Sequence, residues 1–127
     1  MATIPLTEET FRNTVDNHPL VIIDFWASWC GPCKNFAPIF GAAAERHPDI
    51  LFAKVDTDAE QGLASAFGIR SIPTLMVIRE QIIVFREPGA MTAGAFEQLI
   101  AQLRAMDMDE IRAELKAQEE GDPDQPG

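Results

Sequence analysis

Trp29-Cys30-Gly31-Pro32-Cys33-Lys34 comes just after the run Leu20-Val21-Ile22-Ile23-Asp24-Phe25-Trp26, and this junction decides how the chain reads. The run is β-branched and nearly continuous in apolar character, which predicts a central strand covered on both faces. Residues 34–46 behind it carry Phe36, Phe40 and Ala43 near helical spacing. The two cysteines are the only ones in 127 residues, and they fall at the strand-to-helix turn. A pair so placed points to redox chemistry. A helix N-terminus stabilises a thiolate on the first sulfur, and the second is near enough to close a ring with it. A structural disulfide, or two inert buried thiols, is the competing reading.

Working outward, Thr7-Glu8-Glu9 reads as a helix start, a hydroxyl cap followed by carboxylates. Phe11 and Val15 lie four apart on its inner side, and Asn17-His18-Pro19 ends it. Pro38 falls inside the helix after the cysteines and predicts a kink. Residues 50–56 read as a second buried strand and 59–67 as a short helix stopped by Gly68. Residues 73–78 and 82–85 read as strands joined through Arg79-Glu80-Gln81. Phe96, Leu99, Ile100 and Leu103 make one stripe of an amphipathic helix over 92–106. With a weak first strand at 3–5 the order is β-α-β-α-β-α-β-β-α: parallel strands with helical crossovers, then an antiparallel hairpin. Residues 107–118 extend as a helix with a thin stripe of Met108, Ile111 and Leu115. The acidic, Pro- and Gly-containing residues 119–127 are expected to be disordered.

The length suits one domain with a real core. No stretch approaches the ~18 apolar residues of a membrane span. Met1-Ala2-Thr3-Ile4-Pro5 has neither a basic stretch nor an apolar segment, which predicts no secretory signal and a cytoplasmic location. There thiols are held reduced, and a Cys pair serves chemistry or metal binding rather than structure. Of the net charge of −10, more than half falls beyond Ala105, where eight acidic residues meet two basic ones. An acidic chain repels phosphate, so nucleic acid is not an expected partner, and the charge otherwise serves solubility.

Phe25-Trp26-Ala27-Ser28-Trp29-Cys30-Gly31-Pro32-Cys33-Lys34 resembles the active-site signature of the thioredoxin family, the reducing type with Gly-Pro between the cysteines. The likeness continues at Asp24, Pro38, Lys54-Val55-Asp56, Gly68-Ile69-Arg70-Ser71-Ile72-Pro73-Thr74 and Gly89-Ala90, covering roughly residues 6–103. It implies an α/β thioredoxin fold, a central mixed five-stranded sheet flanked by four helices. On that reading residues 1–106 form the domain and 107–127 an acidic C-terminal extension, part helix and part disordered. The resemblance also implies a monomer that reduces protein disulfides. Its electrons would come from NADPH through a flavoprotein, thioredoxin reductase; no cofactor is bound, and the working group is a reversible Cys30–Cys33 disulfide.

Cys30 is the expected nucleophile. Ahead of the helix its sulfur meets unpaired N–H groups and the positive dipole end, which lowers a thiol pKa from ~8.5 toward ~7. Cys33, one helical step inward, resolves the mixed disulfide at high local concentration. Asp24 interrupts an apolar strand; burial raises such a carboxyl and suits it to take the Cys33 proton. An exposed strand residue or a capping carboxylate is the alternative. Lys54 interrupts the next strand and is placed to pair with Asp24, or else to reach the surface. In the family the proline matching Pro73 is cis and lies against the Cys pair. There the residue before it, here Ile72, offers backbone groups to an extended substrate. Gly31 and Pro32 set the redox potential, near about −270 mV in reducing members. Trp29 is expected to cover the thiols and contact substrate, Trp26 mainly to pack, and Gly89 to border the substrate groove.

The chain departs from the family at several places. Arg79-Glu80-Gln81 lacks the Asn-Gly type of turn common there. Pro88 stands where relatives carry an aliphatic residue, Thr57 where a larger apolar one is common, and the tail has no counterpart in the minimal fold. Three other readings compete. An oxidase or isomerase would show a potential near about −120 to −180 mV. A metal site lacks ligands, because one Cys pair supplies two of the four that structural zinc wants, and His18 and His47 precede prolines at surface boundaries. A binding or chaperone module would act mainly through the acidic tail.

Overall fold

The structure, a computed structural model, describes residues 2–121. Its elements are β1 (Thr3–Pro5), α1 (Phe11–Asn17), β2 (Leu20–Trp26), α2 (Gly31–Arg46), β3 (Leu51–Asp56), α3 (Gln61–Ala66), β4 (Thr74–Arg79), β5 (Ile82–Pro88), α4 (Ala93–Ala105) and α5 (Met108–Gly121). They fall into two compact units, one ending at Ala93 and the other starting at Gly94.

In the first unit the strands form one sheet in the order β1-β3-β2-β4-β5. β3 runs parallel to both β1 and β2, while β4 is antiparallel to β2 and β5. The apolar run Leu20–Trp26 is therefore the central strand, which is why both of its faces are apolar. Side chains alternate between the faces. Val21, Ile23 and Phe25 of β2 join Ala53, Val55, Met76 and Ile78 in a core with Val15 of α1 and Leu63 of α3. Phe11 and Phe67 close over it, with ring centroids 5.2 Å apart. Ile22, Asp24 and Trp26 point to the opposite face, as do Phe52 and Lys54 of β3. On that side Phe40 of α2 meets Phe52 edge-on at 5.4 Å between centroids. Successive crossovers thus carry α1 and α2 to opposite faces, and Asp24 looks toward the helix that bears the cysteines.

Local chemistry moves several boundaries from their sequence expectations. Residues 7–10 form a turn, and α1 begins at Phe11. The Thr7 and Thr10 hydroxyls accept each other's backbone N–H at 3.0 and 3.2 Å, while the Glu8 N–H goes to Glu60. α3 starts at Gln61 because Asp56 Oδ1 takes the N–H groups of Asp58 and Ala59. β5 runs on to Pro88, opposite Thr74. Arg79 and Ile82 pair, so the hairpin turn is Glu80-Gln81, with both residues at positive φ, 50° and 70°. α2 is helical from Gly31 through Pro38 to Arg46. His18 is exposed, whereas His47 is half-buried and stacks on Phe52.

In the second unit Phe96, Leu99, Ile100 and Leu103 of α4 are all buried, as the stripe predicts. Asp107 Oδ1 caps α5 by accepting the Glu110 N–H. Met108 is buried, Ile111 half-buried and Leu115 exposed. Disorder was expected from residue 119, but Glu119–Gly121 continue α5, as suits a helix-forming Ala-Gln-Glu-Glu run. The rest of that expectation, residues 122–127, lies outside the described residues. No helix among the described residues is long and apolar enough to cross a membrane.

Candidate active site

The strand-to-helix turn puts Cys30 at the N-cap of α2. Its backbone is extended, at φ −87° and ψ 114°, as a cap residue requires, and its carbonyl accepts the Lys34 N–H. Its sulfur accepts the Cys33 N–H at 3.2 Å, where a hydroxyl or carboxylate would ordinarily cap. Gly31 and Pro32 form the exposed start of the helix; Pro is tolerated there because the first-turn N–H groups have no intrahelical partner. Cys30 and Cys33 are joined as a disulfide, with Cα atoms 5.2 Å apart. Both are buried, in a small cluster with Ala27 against which Trp26 and Ile72 pack.

The loop before β4 supplies the opposite wall. The Ile72–Pro73 peptide is cis. The Ile72 carbonyl oxygen lies 3.6 Å from Cys30 Sγ. Thr74 Oγ1 donates to Ser71 O at 2.6 Å and ties the loop to itself. Gly89, at φ 103°, donates its N–H to Pro73 O at 2.7 Å, so the end of β5 is fastened to the same loop. Ile72 is thereby set against Cys30, 42 residues away in the chain, and Gly89 is tied to the proline that follows it.

Asp24 is 1% exposed, and neither carboxylate oxygen has a hydrogen-bond partner. Burial pushes its pKa up to about 6, and the Lys54 charge opposes the rise. Lys54 is the register partner of Asp24 across the β2–β3 ladder, but its Nζ lies over the Trp26 ring, 4.8 Å from the centroid. The two act on each other through charge and not through a hydrogen bond. Trp26 serves as the seat of that ammonium as well as a packing residue.

Trp29 is 68% exposed and does not lie flat in a core. Its Nε1 donates to Asp58 Oδ2 at 3.0 Å. Nothing in the local sequence pattern marks this contact, because Asp58 reads as one more acidic loop residue. The Thr57 hydroxyl donates to Trp26 O at 3.0 Å, so this polar group is turned to the backbone. Among the described residues no group of three or more His, Cys, Asp or Glu side chains is arranged to hold a metal ion.

A cysteine pair at a helix start that closes into a ring, with a backbone carbonyl beside its first sulfur, can exchange disulfides. A family model described as Thioredoxin matches residues 2–102, which reaches into α4. Putative thioredoxin 2 of Streptomyces coelicolor is 52% identical over 118 residues, covering 93% of this chain and 88% of the relative. Thioredoxin C-3 of Corynebacterium nephridii is 44% identical over 100 residues, 78% of this chain and 69% of the relative. A solved thioredoxin of Plasmodium falciparum has a TM-score of 0.73 at 33% identity, covering 79% of this chain and 97% of that one.

Proposed function

This chain belongs to the thioredoxin family and is a thiol-disulfide oxidoreductase, and from that premise we propose that it works as a protein-disulfide reductase recharged by an NADPH-linked flavoprotein thioredoxin reductase. The observation that carries the reading is the Cys33 N–H aimed at Cys30 Sγ at the start of α2. In the reduced protein a Cys30 thiolate takes that N–H and the positive end of the helix dipole, which lowers its pKa while leaving it nucleophilic.

The thiolate attacks one sulfur of a substrate disulfide. A Cys30–substrate S–S bond forms, the substrate's own S–S bond breaks, and its first sulfur leaves and takes a proton from solvent. Cys33 then gives its proton to Asp24, whose raised pKa suits it to accept one near neutrality. The Cys33 thiolate attacks Cys30 Sγ, the ring disulfide closes, and the second substrate sulfur is released. Two electrons pass from the dithiol to the substrate, and the reductase returns two from NADPH. Ile72 offers backbone groups to an extended substrate beside Pro73, Gly89 borders the substrate groove, Gly31 and Pro32 set the potential, Trp29 gives an apolar contact, and Lys54 moderates Asp24.

We assign this work to a monomeric domain of residues 1–106 acting in the cytoplasm, with residues 107–127 as an acidic extension. The test is an NADPH-coupled insulin-reduction assay with a thioredoxin reductase. Wild type should turn over and Cys30→Ser should not. A chain that binds partners equally well with Cys30→Ser, and reduces nothing as wild type, would be a binding module instead.

A further inference from the structure

Trp29 presents most of its ring to solvent, so packing does little to choose its orientation. What holds its far edge is the Nε1–H bond to Asp58. Asp58 is fixed in turn by its own segment. Its backbone N–H donates to Asp56 Oδ1 at 3.0 Å, and Ala59 donates to the same oxygen at 3.3 Å. One residue earlier, the Thr57 N–H and hydroxyl both donate to Trp26 O, at 2.9 and 3.0 Å. The loop after β3 is thus clamped to the end of β2 at Trp26 and reaches over to Trp29, spanning the backbone that leads into Cys30.

We propose that Asp58 is a positioning residue for disulfide exchange: its carboxylate holds the Trp29 indole in one orientation beside Cys30, so that a protein substrate meets a preformed aromatic platform. The inference rests on the reductase reading above. A ring already held in place loses little freedom when a partner docks on it, and the benefit falls on association rather than on sulfur chemistry. A disulfide too small to reach the ring gains nothing from it. The acceptor oxygen matters, not the charge, so an amide at the same position serves as well.

The test compares wild type, Asp58→Ala and Asp58→Asn as reduced, desalted full chains. Each is mixed with excess substrate, and oxidation is followed by acid quenching and thiol alkylation. The substrates are insulin and the small, uncharged bis(2-hydroxyethyl) disulfide. With Asp58→Ala the half-saturating insulin concentration should rise about three- to tenfold, the scale of one side chain left to be immobilised on docking. Its maximal rate, and its rate with the small disulfide, should stay within about twofold of wild type. Asp58→Asn should restore insulin saturation. The indole N–H proton signal that disappears in Trp29→Phe should move upfield in Asp58→Ala and not in Asp58→Asn. Insulin saturation unchanged in Asp58→Ala, equal loss in Asp58→Asn, or equal loss with both substrates overturns the proposal. A wild-type chain inert to both disulfides removes the reductase reading itself, and this inference with it.

Discussion

Asp24 and Lys54 stand opposite each other on adjacent parallel strands, yet the carboxylate accepts no hydrogen bond and the ammonium rests over Trp26. A charge buried without a partner is expensive, and the protein meets that cost by holding on to a proton. The Asp24 pKa rises from 3.8 to about 6, first through loss of solvent, with Lys54 pulling the other way.

Stability should follow from that shift. The folded state binds a proton more tightly than the unfolded chain, so folding is favoured at low pH. Stability falls as pH rises from about 4 through about 6, then levels off. Asp24→Asn does not titrate. Across this window it should gain up to about 3 kcal/mol over wild type, the worth of a shift of about two pH units. Urea unfolding at pH 4 and pH 8 measures it; an equal difference at both values would show that Asp24 is not the group responsible.

Removing the opposing charge should push the same carboxyl further. In Lys54→Met nothing offsets the desolvation, and Asp24 should titrate above about 6. The Asp24 side-chain carboxyl carbon, followed by NMR across pH 4–9, reads this directly. A midpoint that falls or stays in place would mean that the ammonium over Trp26 is too well solvated to act.

The sheet was legible because its strands are strongly apolar and their order of alternation with helices admits few topologies. Leu20–Trp26 and Thr3–Pro5 lie where the pattern puts them. The ends of α1 and α3 were not legible. They depend on which oxygen takes each early N–H, and Asp56 and Glu60 compete for those donors from outside the helices. At the site the Cys pair announces itself by spacing. The approach of Ile72 to it, and the tie between Gly89 and Pro73, are long-range contacts that no local pattern encodes. The resting place of Lys54 and the grip of Asp58 on Trp29 are side-chain choices between several nearby partners, which no local pattern encodes.

The β4–β5 hairpin should be easy to stabilise. Glu80 and Gln81 occupy the left-handed region at φ 50° and 70°, where a Cβ crowds the backbone. Two-residue turns of this hand favour Asn-Gly. Glu80→Asn with Gln81→Gly should add about 1 kcal/mol, within the range of compatible turn repairs. Chemical denaturation midpoints measure it, and no gain would mean that the present side chains compensate through contacts across the turn.

Gly89 has less freedom to change. At φ 103° it sits where an L side chain is strained even with open space around its Cα, and its N–H holds Pro73 O at 2.7 Å. Gly89→Ala should cost at least about 1 kcal/mol. It should also slow insulin reduction by loosening the wall that faces Cys30. Unfolding and insulin assays on one preparation test both, and a variant with wild-type values would show that this fastening is dispensable.

The exchange chemistry makes a prediction that turns on a backbone atom. The group that caps Cys30 Sγ is the N–H of Cys33, not its thiol. Cys33→Ser keeps that N–H and the start of α2, so Cys30 should remain an activated thiolate and titrate below the ~8.5 of a free cysteine. What the variant loses is the second attack. It should therefore capture a protein disulfide and stop, accumulating one covalent adduct per chain through Cys30. Cys30→Ser should capture nothing, because Cys33 lies inside the first turn of α2, whereas Cys30 is the cap residue whose sulfur takes the Cys33 N–H. Mass spectrometry under non-reducing conditions distinguishes the two. An adduct on Cys33, or none on Cys30 while its thiolate absorbs normally in the ultraviolet, would reverse the assignment of attacker and resolver.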